Sequence, residues 1–411
     1  MATADALTFP LRPSKYCFYN QLIGGATAAP IGPPSARSRL ATLPAHPMPD
    51  AIIPVHAIKG RGAATRLAHR FSRDARDAFD DGWGTLEQGL EPEDAAAPPA
   101  TQVTFEDAKS AITGNDSPDI YFDLSVNPYR GCEHGCSYCY ARPTHSYLGL
   151  SPGLDFETKI IAKRNIATVL RAELSRPGYQ PQLLNIGSAT DCYQPVERDL
   201  QLTRGVIEVL RDAGHAFSLV TKGSGVERDL DLIAPMAAQH LAAVYVTITT
   251  LDATLARRLE PRAAAPHRRL RTIRALADAG VPVGVSVAPQ IPFLNDDMEQ
   301  VLEAAAQAGA RTAFYTVLRL PWEVSPLFRQ WLELHYPQRA ARTLARIHEM
   351  RGGKDYSADF ATRMKGSGLW ADLIRQRFEK ACARLGLNRA RTELDLGRFQ
   401  PGGAAGQASL F

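Results

Sequence analysis

The chain of 411 residues has few cysteines, little net charge and no long apolar run. Six cysteines are too few for a disulfide framework in a chain of this length. No stretch reaches the ~18 uninterrupted apolar residues of a transmembrane helix, and no basic start followed by an apolar block marks a secretory signal. A net charge of +4 argues against a histone-like coat for nucleic acid. We therefore expect a cytoplasmic globular protein, with no membrane attachment and with a basic surface that is at most local.

The first part of the chain, residues 1–100, is rich in proline and alanine and keeps neither a helical nor a strand period. This composition predicts a mostly disordered leader and linker, with Met48 as the true start of the protein and the stretch up to Pro47 dispensable. Within it, we expect the segment from Ile58 to Ala63 to lie on the folded body. The stretch from Glu91 to Ala100 has the composition of a linker.

From about residue 118 to residue 340, apolar strands alternate with helices. Six strands are predicted at Tyr121–Val126, Leu183–Ser188, Ala216–Thr221, Ala243–Thr249, Val281–Ala288 and Thr312–Leu318. Strands separated by helices that end at glycine indicate an α/β fold with a parallel sheet, here a barrel or partial barrel. Functional groups of such a sheet are expected at the carboxyl ends of its strands. A helical extension over residues 341–400 and a flexible tail over residues 401–411 complete the predicted organisation.

Three cysteines follow the first predicted core strand with the spacing C-x3-C-x2-C: Cys132, Cys136 and Cys139. Three thiolates on one short loop converge on one centre. A tetrahedral zinc site needs a fourth ligand, which His134 or His145 could supply. Three cysteines alone instead suit a four-iron cluster that leaves one iron without a protein ligand. The spacing favours the cluster and leaves zinc as the alternative.

The sequence Asn-Pro-Tyr-Arg-Gly-Cys at 127–132, continued by Cys-Ser-Tyr-Cys-Tyr at 136–140, resembles the radical SAM superfamily, in the branch that contains spore photoproduct lyase. The resemblance implies a partial (β/α)6 TIM-like barrel of the radical SAM type. It also implies that the three cysteines bind a [4Fe-4S] cluster whose open iron binds S-adenosylmethionine. An external one-electron donor would then drive cleavage to a 5′-deoxyadenosyl radical, which abstracts a hydrogen atom from the substrate.

Candidate cofactor-binding residues stand at the ends of the next strands. Thr190 and Asp191 follow the second strand, where small and hydroxylated residues suit a polar ligand, although a capped turn is the alternative. The resemblance implies that Thr190 binds the amino group of the cofactor, Asp191 its ribose or amine, and Lys222 its carboxylate. Thr247 offers a further hydroxyl, with strand packing as the alternative.

The stretch from Arg257 to Arg274 contains seven arginines and one acid, Glu260. A solvated helix face is one interpretation of this run. The other is that Arg262 pairs with Glu260 and closes the cofactor pocket, or that these arginines contact phosphate.

One position departs from the lyase pattern. The lyase needs a cysteine on its second strand to return a hydrogen atom, and Ser188 stands there in this chain. Cys192 is the substitute candidate, and Tyr138 and Tyr140 are candidate radical relays. The two remaining cysteines, Cys17 and Cys382, are predicted bystanders.

We therefore expect a radical SAM enzyme, lyase-like in its chemistry, that acts on a DNA lesion or nucleobase. Radical modification of a peptide or small molecule is one alternative, and a non-catalytic, metal-stabilised DNA-binding module is another. The last five residues, Gln407 to Phe411, resemble the short peptide with which bacterial repair proteins dock on the sliding clamp. A frayed terminus, or one folded back on the barrel, is the alternative for this tail.

Overall fold

The computed structural model describes residues 55–72 and 99–401. The predicted start at Met48, Cys17, most of the linker and the predicted docking peptide at Gln407–Phe411 lie outside these ranges. No helix in the described part of the chain combines the length and the apolar character needed to cross a membrane.

Within the described ranges, ten strands form two sheets. Their bounds are β1 Gln102–Glu106, β2 Ile112–Gly114, β3 Leu124–Val126, β4 Tyr129–Arg130, β5 Lys159–Lys163, β6 Leu184–Ile186, β7 Phe217–Thr221, β8 Ala242–Thr247, β9 Val283–Ser286 and β10 Thr312–Phe314. The main sheet has the order β10-β9-β8-β7-β6-β3-β2. Its strands from β3 to β10 are parallel, and β2 adds antiparallel to β3. The six parallel strands are the six predicted from the sequence, and the sheet remains open between β2 and β10, as in a partial barrel.

Eleven helices are described in the same ranges. Their bounds are α1 Leu154–Thr158, α2 Ile166–Leu174, α3 Glu197–Leu200, α4 Leu202–Asp212, α5 Leu230–Ala237, α6 Ala253–Leu259, α7 Pro266–Asp278, α8 Met298–Gln307, α9 Val324–His335, α10 Pro337–Glu349 and α11 Leu369–Leu385. Glycines in the left-handed conformation follow α4, α7 and α8, as predicted: Gly214, Gly280 and Gly309. The helices cover a core made of the apolar side chains of the central strands.

The main sheet starts earlier than the predicted boundary at residue 118. Ile112 of β2 pairs with Val126 of β3, so this segment belongs to the main sheet. A second sheet, β1-β5-β4, was not predicted at all. Its strands are short or partly exposed, and such strands lack the continuous apolar run that marks a buried parallel strand.

The helical extension covers the edge of the main sheet at β10. The Asn388 side chain accepts a hydrogen bond from Ala313 N at 2.8 Å and donates one to Ala313 O at 2.9 Å. The amide thereby replaces a neighbouring strand on an edge that would otherwise present unpaired backbone groups. This contact ties the end of α11 to the wall of the barrel.

Candidate active site

The three predicted metal ligands lie on one loop and face one cavity. Cys132, Cys136 and Cys139 form no disulfide within the described residues, and they line a cavity of about 1350 Å³ inside the barrel. Cys132 and Cys136 are buried, and Cys139 is partly exposed. Burial raises the pKa of the Cys136 thiol to about 12, so a metal that binds it displaces a proton.

A buried ion pair holds the backbone of this cysteine loop. Arg142 Nη2 lies 2.5 Å from Glu157 Oε1, and both side chains are fully buried. The same guanidinium donates to the carbonyl oxygens of Cys136 at 2.9 Å and of Gly135 at 3.2 Å. Because Arg142 satisfies loop carbonyls and Glu157 compensates its charge, this pair fixes the conformation in which the thiols face the cavity.

The segment from Ile58 to Ala63 packs against the back of the loop, which confirms its predicted place on the folded body. Gly62 N and Ala63 N donate to the two carboxylate oxygens of Glu157, at 3.0 Å and 2.8 Å. A Cβ atom added at Gly62 would lie only 1.7 Å from Gly135 O. Glycine is therefore the residue that lets this segment approach the cysteine loop so closely.

We expect Gly62→Ala to displace the cysteine loop, because the added methyl overlaps a backbone oxygen that cannot rotate away. Overpacking of this kind costs about 1–3 kcal/mol. The unfolding free energy should fall by that amount and iron content after reconstitution should drop, as measured by urea titration and iron assay. Gly114→Ala is the matched control, since a Cβ there meets nothing within 4 Å. Equal behaviour of the two variants would contradict the close packing.

Thr190 and Gln194 connect the end of β6 to the same loop. Thr190 Oγ1 donates to Gly131 O at 2.6 Å and accepts from Gln194 Nε2 at 3.0 Å, while Glu133 N donates to Gln194 Oε1 at 2.9 Å. Thr190 also lines the cavity. Gln194, buried and not predicted, thus acts as a clamp on the loop that carries Cys132.

The Asp191 carboxylate is surrounded by protein donors. Thr221 Oγ1 and Tyr193 N donate to Oδ1 at 2.6 Å and 2.9 Å, and Lys222 N donates to Oδ2 at 2.7 Å. His134 Nδ1 lies 3.2 Å from Oδ2. Burial by itself would raise the pKa of Asp191, but His134 and these hydrogen bonds hold it well below its usual range. The contacts position the turn that presents Lys222, and a direct contact with a ligand stays a prediction.

Lys222 presents an ammonium group to the cavity without a carboxylate partner among the described residues. Its Nζ lies 5.8 Å from the centroid of the Tyr138 ring, and its side chain lines the cavity beside the cysteines. Burial tends to lower the pKa of Lys222, but the neighbouring acidic groups Cys136 and Glu260 raise it above its usual value. An ammonium group with no ion-pair partner among the described residues is suited to bind an anionic group of a ligand.

The predicted pair between Arg262 and Glu260 is wrong. Glu260 is buried and accepts hydrogen bonds from Arg269, Tyr138 Oη and Thr249 Oγ1. Arg262 instead lies with Nη2 at 2.9 Å from Glu133 Oε1 and does not line the cavity. The α7 helix brings Arg269, not Arg262, to the carboxylate, because residues before Pro266 still belong to the turn that follows α6.

The structure places the three predicted catalytic residues in different surroundings. Tyr138 lines the cavity, with its hydroxyl bonded to Glu260, and burial raises its pKa. Tyr140 also lines the cavity, is half-exposed, and donates its hydroxyl to Ser188 O. Cys192 is fully buried in the main apolar core and does not line the cavity. The turn in which Tyr193 N bonds back to Asp191 directs the Cys192 side chain into the core, so the prediction that it replaces the strand cysteine is not supported.

The two histidines of the zinc alternative are engaged elsewhere. His145 Nε2 lies 3.1 Å from Lys159 O, and its ring packs against Phe156, whereas His134 faces Asp191. Over residues 55–72 and 99–401, no three His, Cys, Asp or Glu side chains are grouped closely enough to hold one metal ion.

Part of the cavity wall comes from β10 and from the helical extension. Lys365 Nζ donates to Tyr315 O at 2.7 Å, and burial lowers the pKa of Lys365 to about 8. Arg363 forms a bidentate pair with Asp119. Thr247 lies at the end of β8 and lines the same cavity. Periodicity marked this extension as helical, but its contribution to the cavity comes from loop residues that carry no periodic signal.

Comparison with known proteins identifies the family to which this chain belongs. The family model of the radical SAM superfamily matches residues 126–305. An uncharacterized protein of Mycobacterium tuberculosis is 38% identical over 252 residues, which cover 60% of this chain and 74% of the relative. An uncharacterized protein of Methanocaldococcus jannaschii is 26% identical over 213 residues, covering 52% and 76% of the two chains. The chain belongs to the radical SAM superfamily, and it is an enzyme of the class that uses S-adenosylmethionine.

A solved structure of spore photoproduct lyase with bound AdoMet and dinucleoside spore photoproduct is also similar. The likeness covers 73% of this chain and 80% of that chain, with 15% identity and a TM-score of 0.45. At this level of similarity, the substrate of the lyase and the roles of its residues are not transferred to this chain.

Proposed function

We propose that Cys132, Cys136 and Cys139 bind a [4Fe-4S] cluster. The observation that carries this proposal is that these three cysteines and Lys222, none of which has a disulfide or ion-pair partner in the described part of the chain, line one cavity. Three thiolates are the soft ligands that such a cluster requires, and they leave one iron open to a small molecule. The buried Arg142–Glu157 pair supports the proposal, because it holds the loop by its backbone and leaves the sulfur atoms free.

S-Adenosylmethionine is proposed to lie between the cysteine loop and the ends of β6 to β8. Lys222 would bind its carboxylate, and Thr190 and Thr247 would offer hydroxyl groups to its polar atoms. Asp191 would act by orienting Lys222, since its own oxygens already accept three hydrogen bonds from the protein. When bound together and reduced, cluster and cofactor supply a 5′-deoxyadenosyl radical for hydrogen abstraction. The chain's share of the work is to bind, orient and shield these groups.

The proposed substrate is a DNA lesion or a nucleobase. Besides the cysteines, the cavity is lined by aromatic rings and by arginine and lysine side chains, among them Tyr121, Tyr140, Arg319 and Arg391. Flat rings and cations suit a base and a phosphate. Among the described lining residues, five lysines and arginines face four aspartates and glutamates, so the cavity is not acidic. An acidic mouth would have favoured a peptide or another small molecule.

Tyr140 is the proposed group for any return of a hydrogen atom to the substrate radical. Its O–H bond would break as the substrate C–H bond forms, and the external electron donor, with a proton from solvent, would reduce the tyrosyl radical left behind. In the described ranges, the cysteines that line the cavity are the three cluster ligands, and Cys192 is directed into the core. Both hydroxyls donate a hydrogen bond, Tyr138 to the buried Glu260 and Tyr140 to Ser188 O, and of the two rings Tyr140 is the half-exposed one.

Anaerobic reconstitution tests the proposed function. The protein should take up about four irons per chain and, after reduction, release 5′-deoxyadenosine from S-adenosylmethionine. A panel of damaged oligonucleotides added to the same assay identifies the substrate. Zinc bound in place of iron, with no cofactor cleavage, would support the metal-stabilised DNA-binding module instead.

Lys222→Ala should weaken binding of S-adenosylmethionine while the cluster still assembles. A hydrogen bond to a charged group contributes roughly 1.5–3 kcal/mol, so the dissociation constant should rise about ten- to a hundredfold. Titration followed by electron paramagnetic resonance measures this, with iron content as the check on assembly. Lys354→Ala, at an exposed position, is the control. An unchanged dissociation constant in Lys222→Ala would show that its ammonium does not contact the cofactor.

Two partners complete the proposal. An external one-electron donor must reduce the cluster, because reductive cleavage of the cofactor takes one electron from it. Docking of Gln407–Phe411 on a sliding clamp would bring the enzyme to replicating or repaired DNA, and it stays a prediction for a peptide outside the described residues.

A further inference from the structure

Three exposed aromatic rings converge on Arg70 beside the mouth of the cavity. Phe71, Tyr147 and Trp322 are 52%, 68% and 62% exposed. The Arg70 Cζ atom lies 4.9 Å, 5.2 Å and 4.4 Å from the centroids of these three rings. Single exposed apolar residues are common, but a contiguous group around one cation marks a surface for interaction.

Hydrogen bonds to a buried carboxylate hold Arg70 in place among these rings. Arg70 donates through its backbone N and its Nη1 to the two carboxylate oxygens of Glu323, at 3.0 Å and 2.8 Å, and Glu323 is itself buried. Trp322 has a φ of +48°, a left-handed conformation that a bulky residue rarely adopts. Strain of this kind persists where the surrounding structure over-determines it, and such positions cluster at functional sites.

The same surface continues into the cavity. Trp322, Arg319 and Tyr140 line the cavity, and the Arg319 Cζ atom lies 4.7 Å from the centroid of the Tyr140 ring. Among the described residues no carboxylate pairs with Arg319. Rings and guanidinium groups therefore alternate from the cavity to the outer surface. We call this surface the aromatic–arginine strip, made of Tyr140, Arg319, Trp322, Arg70, Phe71 and Tyr147.

We propose that the aromatic–arginine strip binds single-stranded nucleic acid and leads one of its bases into the cavity, an inference that rests on the proposed function. Unpaired bases stack on aromatic and guanidinium planes, whereas bases within a duplex are already stacked on one another. Glu323 neutralises Arg70, which leaves Arg319 as the unpaired cation of the strip. Stacking therefore contributes more of the affinity than phosphate contacts do, and the dependence on salt is shallow.

Fluorescence anisotropy with a labelled single strand and with the duplex of the same sequence tests the proposal on the full-length reconstituted protein. Trp322→Ala and Tyr147→Ala should each weaken single-strand binding roughly five- to a hundredfold. Trp322→Phe, which keeps a ring, should stay within about threefold. Phe105→Ala is the control, because Phe105 is also 52% exposed but neither lines the cavity nor contacts Arg70. Phe105→Ala should also keep the parent's cleavage of S-adenosylmethionine without oligonucleotide, and iron content is the check that the other variants assemble.

Several results would overturn the proposal. One is that the parent does not bind the single strand. Another is that it binds the duplex as tightly as the single strand and that the ring substitutions change neither affinity. A third is that Phe105→Ala weakens single-strand binding as much as Trp322→Ala does. Shielding of Trp322 from acrylamide before any oligonucleotide is added, measured against Trp322→Phe, would show that another segment of the chain already covers the rings. Failure of the proposed function is separate, since it appears as absence of cofactor cleavage in the parent.

Discussion

Replacing Cys132, Cys136 or Cys139 with alanine should abolish both iron binding and cleavage of S-adenosylmethionine. Each thiol is one of three ligands that line the cavity, and the described residues offer no further cysteine there to take its place. A cluster with two protein ligands is exposed to loss of iron. Iron content should fall from about four per chain to near zero, together with the visible absorbance of the cluster and the release of 5′-deoxyadenosine.

The control for these variants is Cys382→Ala. Cys382 is buried on α11 and does not line the cavity, so this variant should keep its iron and its cofactor cleavage. Cys192→Ser should also keep the cluster, because its side chain lies in the apolar core. Full iron and full cleavage in any of the three loop variants would exclude that cysteine as a ligand.

Arg142→Met should cause the largest loss of stability. The substitution removes the cation that pairs with the fully buried Glu157 carboxylate, and it frees the carbonyl oxygens of Cys136 and Gly135. Breaking a buried ion pair by removing one partner costs about 3–5 kcal/mol. We expect the urea midpoint to fall accordingly, and iron content to fall with it, because the loop that carries the thiols is no longer fixed.

Arg164→Met provides the matched comparison. Arg164 forms a bidentate pair with Asp107, but both side chains are exposed, so its removal should leave the urea midpoint unchanged within error. If Arg142→Met unfolded at the same urea concentration as Arg164→Met, the buried pair would not be what holds the cysteine loop.

Hydrophobic patterning was enough to predict the central sheet. All six parallel strands were located. The last five are short apolar runs, which burial on both faces makes continuous, whereas Tyr121–Val126 was recognised by its alternation of side chains. The ends of strands were placed too late in several cases. Val281–Ala288 was predicted where β9 covers Val283–Ser286, since the apolar run continues into the loop that lines the cavity.

The residues that hold the site were harder to predict than the ligands themselves. The cysteine spacing is local and visible in the sequence, whereas Glu157 reaches Gly62 and Ala63 across more than ninety positions. Glu157 and Arg142 look like ordinary surface charges in the sequence, and only the fold shows that both are buried. The error at Cys192 has a related cause, because the direction of a side chain in a turn depends on hydrogen bonds such as that from Tyr193 N to Asp191.

Electron paramagnetic resonance of the reduced protein, recorded with and without S-adenosylmethionine, is the most direct measurement of the proposed site. With three cysteine ligands, one iron of a [4Fe-4S] cluster is open to the cofactor. We predict the signal of a reduced four-iron cluster, a change in that signal when the cofactor is added, and a weaker response to cofactor in Lys222→Ala. A spectrum without the signal of a reduced iron cluster would contradict the proposal that cluster and cofactor are bound together in this cavity. A signal that is identical with and without S-adenosylmethionine would contradict it as well.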